Sequence, residues 1–106
     1  MYRILLVDDN QENCSLIESY LMRSKEYEVT TVYDAISALK ATRKQAFDLI
    51  LLDIMLPDLD GIELCVRLRK TLFCPIIFIS CLDDVQVPLK TLFQHRKLQV
   101  LWLLRQ

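Results

Sequence analysis

FDLILLDIMLPDLDGIEL, residues 47–64, is the stretch on which the fold turns. Its residues 49–52 form a continuous apolar run with no polar alternation, the pattern of a strand buried on both faces, and the run stops at an acid, Asp53. Pro57, Asp58, Asp60 and Gly61 follow as a cluster of loop formers. Ile62, Cys65, Val66 and Leu68 then recur at helical spacing and give one apolar stripe. A buried strand, a loop and an amphipathic helix in that order are the repeating half of a parallel-sheet unit.

The same pattern recurs on both sides. Upstream, residues 4–7 are an apolar run that stops at Asp8 and Asp9, and Asn10 or Asp9 can cap a helix from about residue 11 to residue 23. Leu16, Ile17, Tyr20 and Leu21 mark its predicted apolar face. Tyr27, Val29 and Thr31 alternate with polar neighbours, which suggests a less buried edge strand. Asp34 caps a second helix carrying Ile36, Leu39 and Ala46. Downstream, Pro75 opens the apolar run 76–79, which ends at Ser80. This β-α-β-α-β-α-β order predicts an α/β fold, a doubly wound parallel sheet with helices on both faces, flavodoxin-like if the first and third strands are neighbours, as in strand order 2-1-3-4. Beyond Ser80, Asp83 or Asp84 can cap a helix to about residue 94 if Pro88 sits near its start. Residues 97–104 suit either a fifth strand or the end of a continued helix, and too few residues follow for a further helix.

Composition narrows the function. A chain of 106 residues, 53% hydrophobic and 25% charged, is expected to form one domain over residues 1–106. Gly61 is the sole glycine, which excludes Gly-rich phosphate cradles, and His95 the sole histidine, which excludes multi-histidine metal sites. Cys14, Cys65, Cys74 and Cys81 sit among apolar residues without a C-x-x-C pair or a secretory signal, so reduced thiols and a cytoplasmic location are expected. A net charge of -1 points to no nucleic acid, and the apolar runs fall short of the roughly 20 residues that span a bilayer, so neither DNA nor membrane contact is expected. The charge is uneven: residues 85–106 hold four basic and no acidic side chains, which sets this segment apart from residues 1–84.

Three buried runs thus end in polar residues: Asp8 with Asp9, Asp53, and Ser80. In an open parallel sheet, ligands bind outside the carboxyl ends of the strands where strand order reverses, so order 2-1-3-4 would gather all four there. Carboxylates crowded together repel and take up protons unless a cation sits among them, and Mg²⁺ suits such a donor set. Without a Cys-His or Ser-His pair the available nucleophile is a carboxylate, a group that forms aspartyl phosphates; a hydroxyl at Ser80 could donate to the phosphoryl oxygens after transfer. Each residue alone has an ordinary reading, as helix cap, solvated strand end or turn. Their joint occurrence at three strand ends favours a functional site.

ILLVDDN (residues 4–10), FDLILLDIMLPDLDGIEL and PIIFIS (residues 75–80) together resemble the receiver domain of bacterial two-component response regulators over roughly residues 2–87. The resemblance implies that Asp53 is the phosphorylated aspartate and that a sensor histidine kinase is the donor. It implies that Asp8, Asp9, Asp53 and the carbonyl of Met55 hold Mg²⁺, and that Ser80 is the hydroxyl facing the phosphoryl group. Met55 and Leu82 occupy the family positions that tune hydrolysis of the acyl phosphate, and both are apolar here.

The C-terminal segment LFQHRKLQVLWLLRQ departs from the family, which has a Gly-Ala turn, a Lys-Pro pair and a fifth helix in this region. Trp102 falls at the distance of the family lysine, and neither Lys90 nor Lys97 matches its motif. A sheet face or edge left uncovered there predicts a homodimer through this segment, with residues 98–104 pairing as an edge strand within one chain or between two. The rival reading is a degenerate receiver serving as an interaction module. A phosphatase of the haloacid-dehalogenase kind is weaker, because it calls for a D-x-D pair and Asp8 is followed by Asp9 and Asn10.

Overall fold

Each buried run forms a strand in the computed structural model, which describes residues 1–81 and 100–105, with side chains described through residue 79. The elements in chain order are β1 (Tyr2–Val7), α1 (Gln11–Leu21), β2 (Tyr27–Val32), α2 (Ala35–Lys44), β3 (Leu49–Asp53), α3 (Gly61–Arg69), β4 (Ile76–Cys81) and β5 (Val100–Arg105). The strands lie in the order β2-β1-β3-β4-β5, and every neighbouring pair is parallel. The chain runs from β1 outward to β2 and then returns past β1 to β3, so strand order reverses between β1 and β3.

The strand-or-helix ambiguity read over residues 97–104 resolves as strand where the chain is described, from Val100 onward. β5 pairs with β4 from Ile76↔Val100 to Cys81↔Arg105 within one chain. An all-apolar run carries no period, and here the ladder on the open edge of β4 takes its backbone groups. The expectations for the cap at Asp83 or Asp84, Pro88, Lys90, His95 and Lys97 lie outside the described residues, as do those for the side chains of Ser80, Cys81, Leu82 and Trp102.

Strand parity sorts the core onto two faces. Leu5, Val7, Ile50, Leu52, Ile76 and Phe78 pack with Ala35 and Ala38 of α2 and with Leu64, Cys65 and Leu68 of α3. The alternate residues Ile4, Leu6, Leu51 and Ile79 pack with Cys14 of α1. β2 is the half-exposed edge that its alternation predicted.

The helices start where their caps dictate. Asn10 accepts from Asn13 N at 3.0 Å, Asp34 from Ser37 N at 2.7 Å and Asp60 from Ile62 N at 2.7 Å. Packing sets which face is buried, and two readings need correction. In α1 the stripe is Cys14, Ile17 and Leu21, while Leu16 and Tyr20 are 71% and 69% exposed. Leu16 and Tyr20 repeat at the same period as Ile17 and Leu21, and only packing against the sheet separates them. In α2 the buried residues are Ala35 and Ala38, Ile36 faces solvent, and Ala46 lies past the helix end. Small side chains let α2 settle close to the sheet. α1 also ends at Leu21, two residues before the predicted boundary.

Candidate functional site

Register brings the acids together. Val7 pairs with Leu52 across β1 and β3, so the next residues, Asp8 and Asp53, emerge side by side at the carboxyl ends of the two strands that flank the reversal. One carboxylate oxygen from each of Asp8, Asp9 and Asp53 lies within 4.8 Å of the others. Asp8 is buried, Asp53 half-buried and Asp9 exposed.

Asp8 is gripped by its surroundings. Its Oδ1 accepts from Asn10 N at 2.9 Å, its carbonyl accepts from Cys14 Sγ at 3.2 Å, and its own N–H donates to the Val32 carbonyl at 3.2 Å. Asp53 accepts from Met55 N through Oδ1 at 3.2 Å. Burial pushes the Asp53 carboxyl up to about 7; the Asp8 charge, a side-chain hydrogen bond with Asp8 and the Asp9 charge add to this, while the Met55 N–H pulls it down. A carboxyl that retains its proton this far is short of positive charge. Three hard oxygen donors at this spacing fit a divalent cation such as Mg²⁺, with Asp8, Asp9 and Asp53 as the side chains that would hold it.

The segment from residue 54 to residue 60 returns across the end of β3. Met55 and Asp60 form an isolated antiparallel bridge, and Gly61 N donates to the Ile54 carbonyl at 2.7 Å. A Cβ on Gly61 would lie 2.3 Å from the Asp53 carbonyl oxygen and 2.7 Å from Ile54 Cα, both backbone atoms, so only glycine lets α3 begin this close to the site. At the tip of the segment, Asp58 accepts from Ala35 N at 2.9 Å through Oδ1 and from Ile36 N at 3.1 Å through Oδ2.

Of the residues singled out in the sequence, Asp8, Asp9, Asp53 and the Met55 backbone meet at one crevice. Ser80 follows Ile79, the register partner of Asp53, which places its backbone beside the site; its side chain lies outside the described residues. Asp58 and Gly61 read in the sequence only as loop formers. A usable signal for Gly61 was its position as the lone glycine at the first residue of a helix; for Asp58, whose partners lie 22 and 23 residues away, there was none. Of the described cysteines, Cys14 and Cys65 are buried, and burial pushes the Cys65 thiol up to about 11 and that of half-buried Cys74 upward. Among the described residues no helix is long and apolar enough to cross a membrane.

A parallel sheet that gathers carboxylates at the reversal of strand order defines a doubly wound α/β protein with its ligand site at the strand ends. The response regulator receiver domain matches residues 4–98, and the chain belongs to that family. It is 45% identical over 83 residues to the nisin biosynthesis regulatory protein NisR of Lactococcus lactis, covering 78% of this chain and 36% of that protein. The chain spans well under half of the length of the curated relatives it matches. Among solved structures, a two-component response regulator from Clostridium difficile superposes with a TM-score of 0.86 at 25% identity, covering 99% of this chain and 84% of that one. A chain in the crystal structure of the histidine kinase ThkA with the response regulator TrrA gives 0.81 at 25% identity, covering 100% of this chain and 87% of that one. The fold is that of a two-component signalling receiver, a regulatory domain.

Proposed function

We propose that this receiver is a phosphoacceptor switch in which Asp53 takes a phosphoryl group from a sensor histidine kinase. The observation that carries this reading is the placement of Asp53 beside Asp8 and Asp9 at the strand-order reversal, with its carboxyl pushed up to about 7. The Met55 N–H engages Oδ1 of Asp53 and so orients the carboxylate that attacks. In the transfer an O–P bond forms at Asp53 as the P–N bond of the donor phosphohistidine breaks, and the freed imidazole keeps the bond pair and takes a proton. Mg²⁺, when bound, neutralises the charge that carboxylates and phosphoryl oxygens bring together. Asp8, Asp9, Asp53 and the Met55 carbonyl would hold it, and the family resemblance assigns Ser80 as the residue whose hydroxyl would donate to the transferred phosphoryl group. The family membership supports the kinase as donor, as does the structural likeness to a chain crystallised in a kinase–regulator complex.

Incubation with a small acyl phosphate and Mg²⁺ should add one phosphoryl group by intact-mass measurement, and Asp53→Asn should abolish the addition. An undiminished gain in that variant would refute the assignment.

A further inference from the structure

The first amides of α2 find their acceptors on two different elements. Asp34 already caps it, taking Ser37 N at 2.7 Å through its side chain and Ala38 N at 3.2 Å through its carbonyl. The next two amides, Ala35 N and Ile36 N, are taken by a carboxylate from a different element, Asp58, with one oxygen each. Two bonds to one planar carboxylate fix its direction as well as its distance. The Ala35 N–H, reinforced by that of Ile36, holds the Asp58 carboxyl below its ordinary range, so the acceptor stays ionised.

The segment fastened in this way carries Met55. Its root is held by backbone bonds, Gly61 N to the Ile54 carbonyl and the Met55↔Asp60 bridge, and among the described residues its tip is tied to another element by the side chain of Asp58. Met55 N in turn engages Oδ1 of Asp53. We infer that Asp58 is a positioning residue for the phosphoacceptor site: by tying the 54–60 segment to the start of α2, it holds the Met55 backbone against Asp53. This rests on the reading of Asp53 as phosphoacceptor. α2 is itself seated on the sheet through Ala35 and Ala38, so the tie joins the loop to a fixed body.

The test compares Asp58→Ala and Asp58→Asn in the full chain by amide hydrogen exchange and by labelling with acetyl phosphate across a Mg²⁺ titration. In Asp58→Ala the Ala35 and Ile36 amides should exchange about tenfold faster, the loss of a hydrogen bond to a charged group. The Met55 amide should exchange several-fold faster, and the Mg²⁺ concentration for half-maximal labelling should rise several-fold. Asp58→Asn should fall between parent and Ala, because its carboxamide oxygen keeps one of the two acceptors. Faster exchange at Ala35 and Ile36 with Met55 and the Mg²⁺ dependence unchanged would overturn the inference and leave Asp58 a second helix cap. Asn and Ala variants that match in every readout would overturn it too, since loss of charge alone would then explain the change. A parent protein that takes no label refutes the phosphoacceptor reading instead, and Met55 exchange still decides whether the tie exists.

Discussion

Asp53 contributes to stability with a sign opposite to that of most carboxylates. Its carboxyl rises from 3.8 to about 7 in the metal-free fold, chiefly through burial and then through the Asp8 charge. Between those values the native state holds a proton that the unfolded chain has released, so this group makes the fold less stable as pH rises from about 4 to about 7. Asp53→Asn removes the buried charge. Thermal melts of the metal-free protein at pH 8 should show the variant more stable than the parent by about 1–2 kcal/mol, allowing for the partial exposure of the site, and the gap should close near pH 4. Identical melting at pH 8 would mean that the three carboxylates do not strain one another. The acids were legible in the sequence because each ends an apolar run, and a polar residue there marks the rim of the sheet. Asp58 was not, because its partners are reached only after α2 and the loop have been brought together in space.

At the scale of elements, existence was easier to read than facing. Strands followed from apolar runs, and the first two helix starts from Asn10, one of two candidate caps, and Asp34; Asp60, read only as a loop former, caps the third. The phase of α1 did not follow, since two sets of apolar residues repeat at one period and only burial distinguishes them. The correction has a measurable consequence. Leu16→Lys, on the solvent side of α1, should change unfolding free energy by no more than about 0.5 kcal/mol. Ile17→Lys, one residue along and packed in the cluster beneath α1, should cost about 2 kcal/mol or more in a denaturant titration. The reverse ranking would restore Leu16 to the core. β5 shows the complementary limit: an apolar run without a period takes its structure from its neighbour, and the ladder to β4 is nowhere written in residues 97–104 themselves.

For the whole molecule, the sheet order puts β2 and β5 at its two edges. Among the described residues nothing pairs with the outer side of β5, and a six-residue parallel edge strand is a template for a second chain. A twofold pair is the simplest closed arrangement. Sedimentation over a range of concentrations should therefore give a mass that rises above that of one chain, and phosphorylation should leave the distribution unchanged, because the C-terminal segment offers no match to the family lysine. A constant monomer would remove the edge-pairing expectation, and a mass that shifts on phosphorylation would show that site and edge are coupled.

The account stands on Asp53 being the residue that carries the phosphoryl group. Borohydride reduces an acyl phosphate on aspartate to homoserine, so peptide mapping after labelling with acetyl phosphate and Mg²⁺ and then reduction reads the acceptor directly. Homoserine at position 53, absent when Mg²⁺ is omitted, is the predicted result; homoserine at position 8 or 9, or a reduction-resistant phosphate on Ser80, would contradict it.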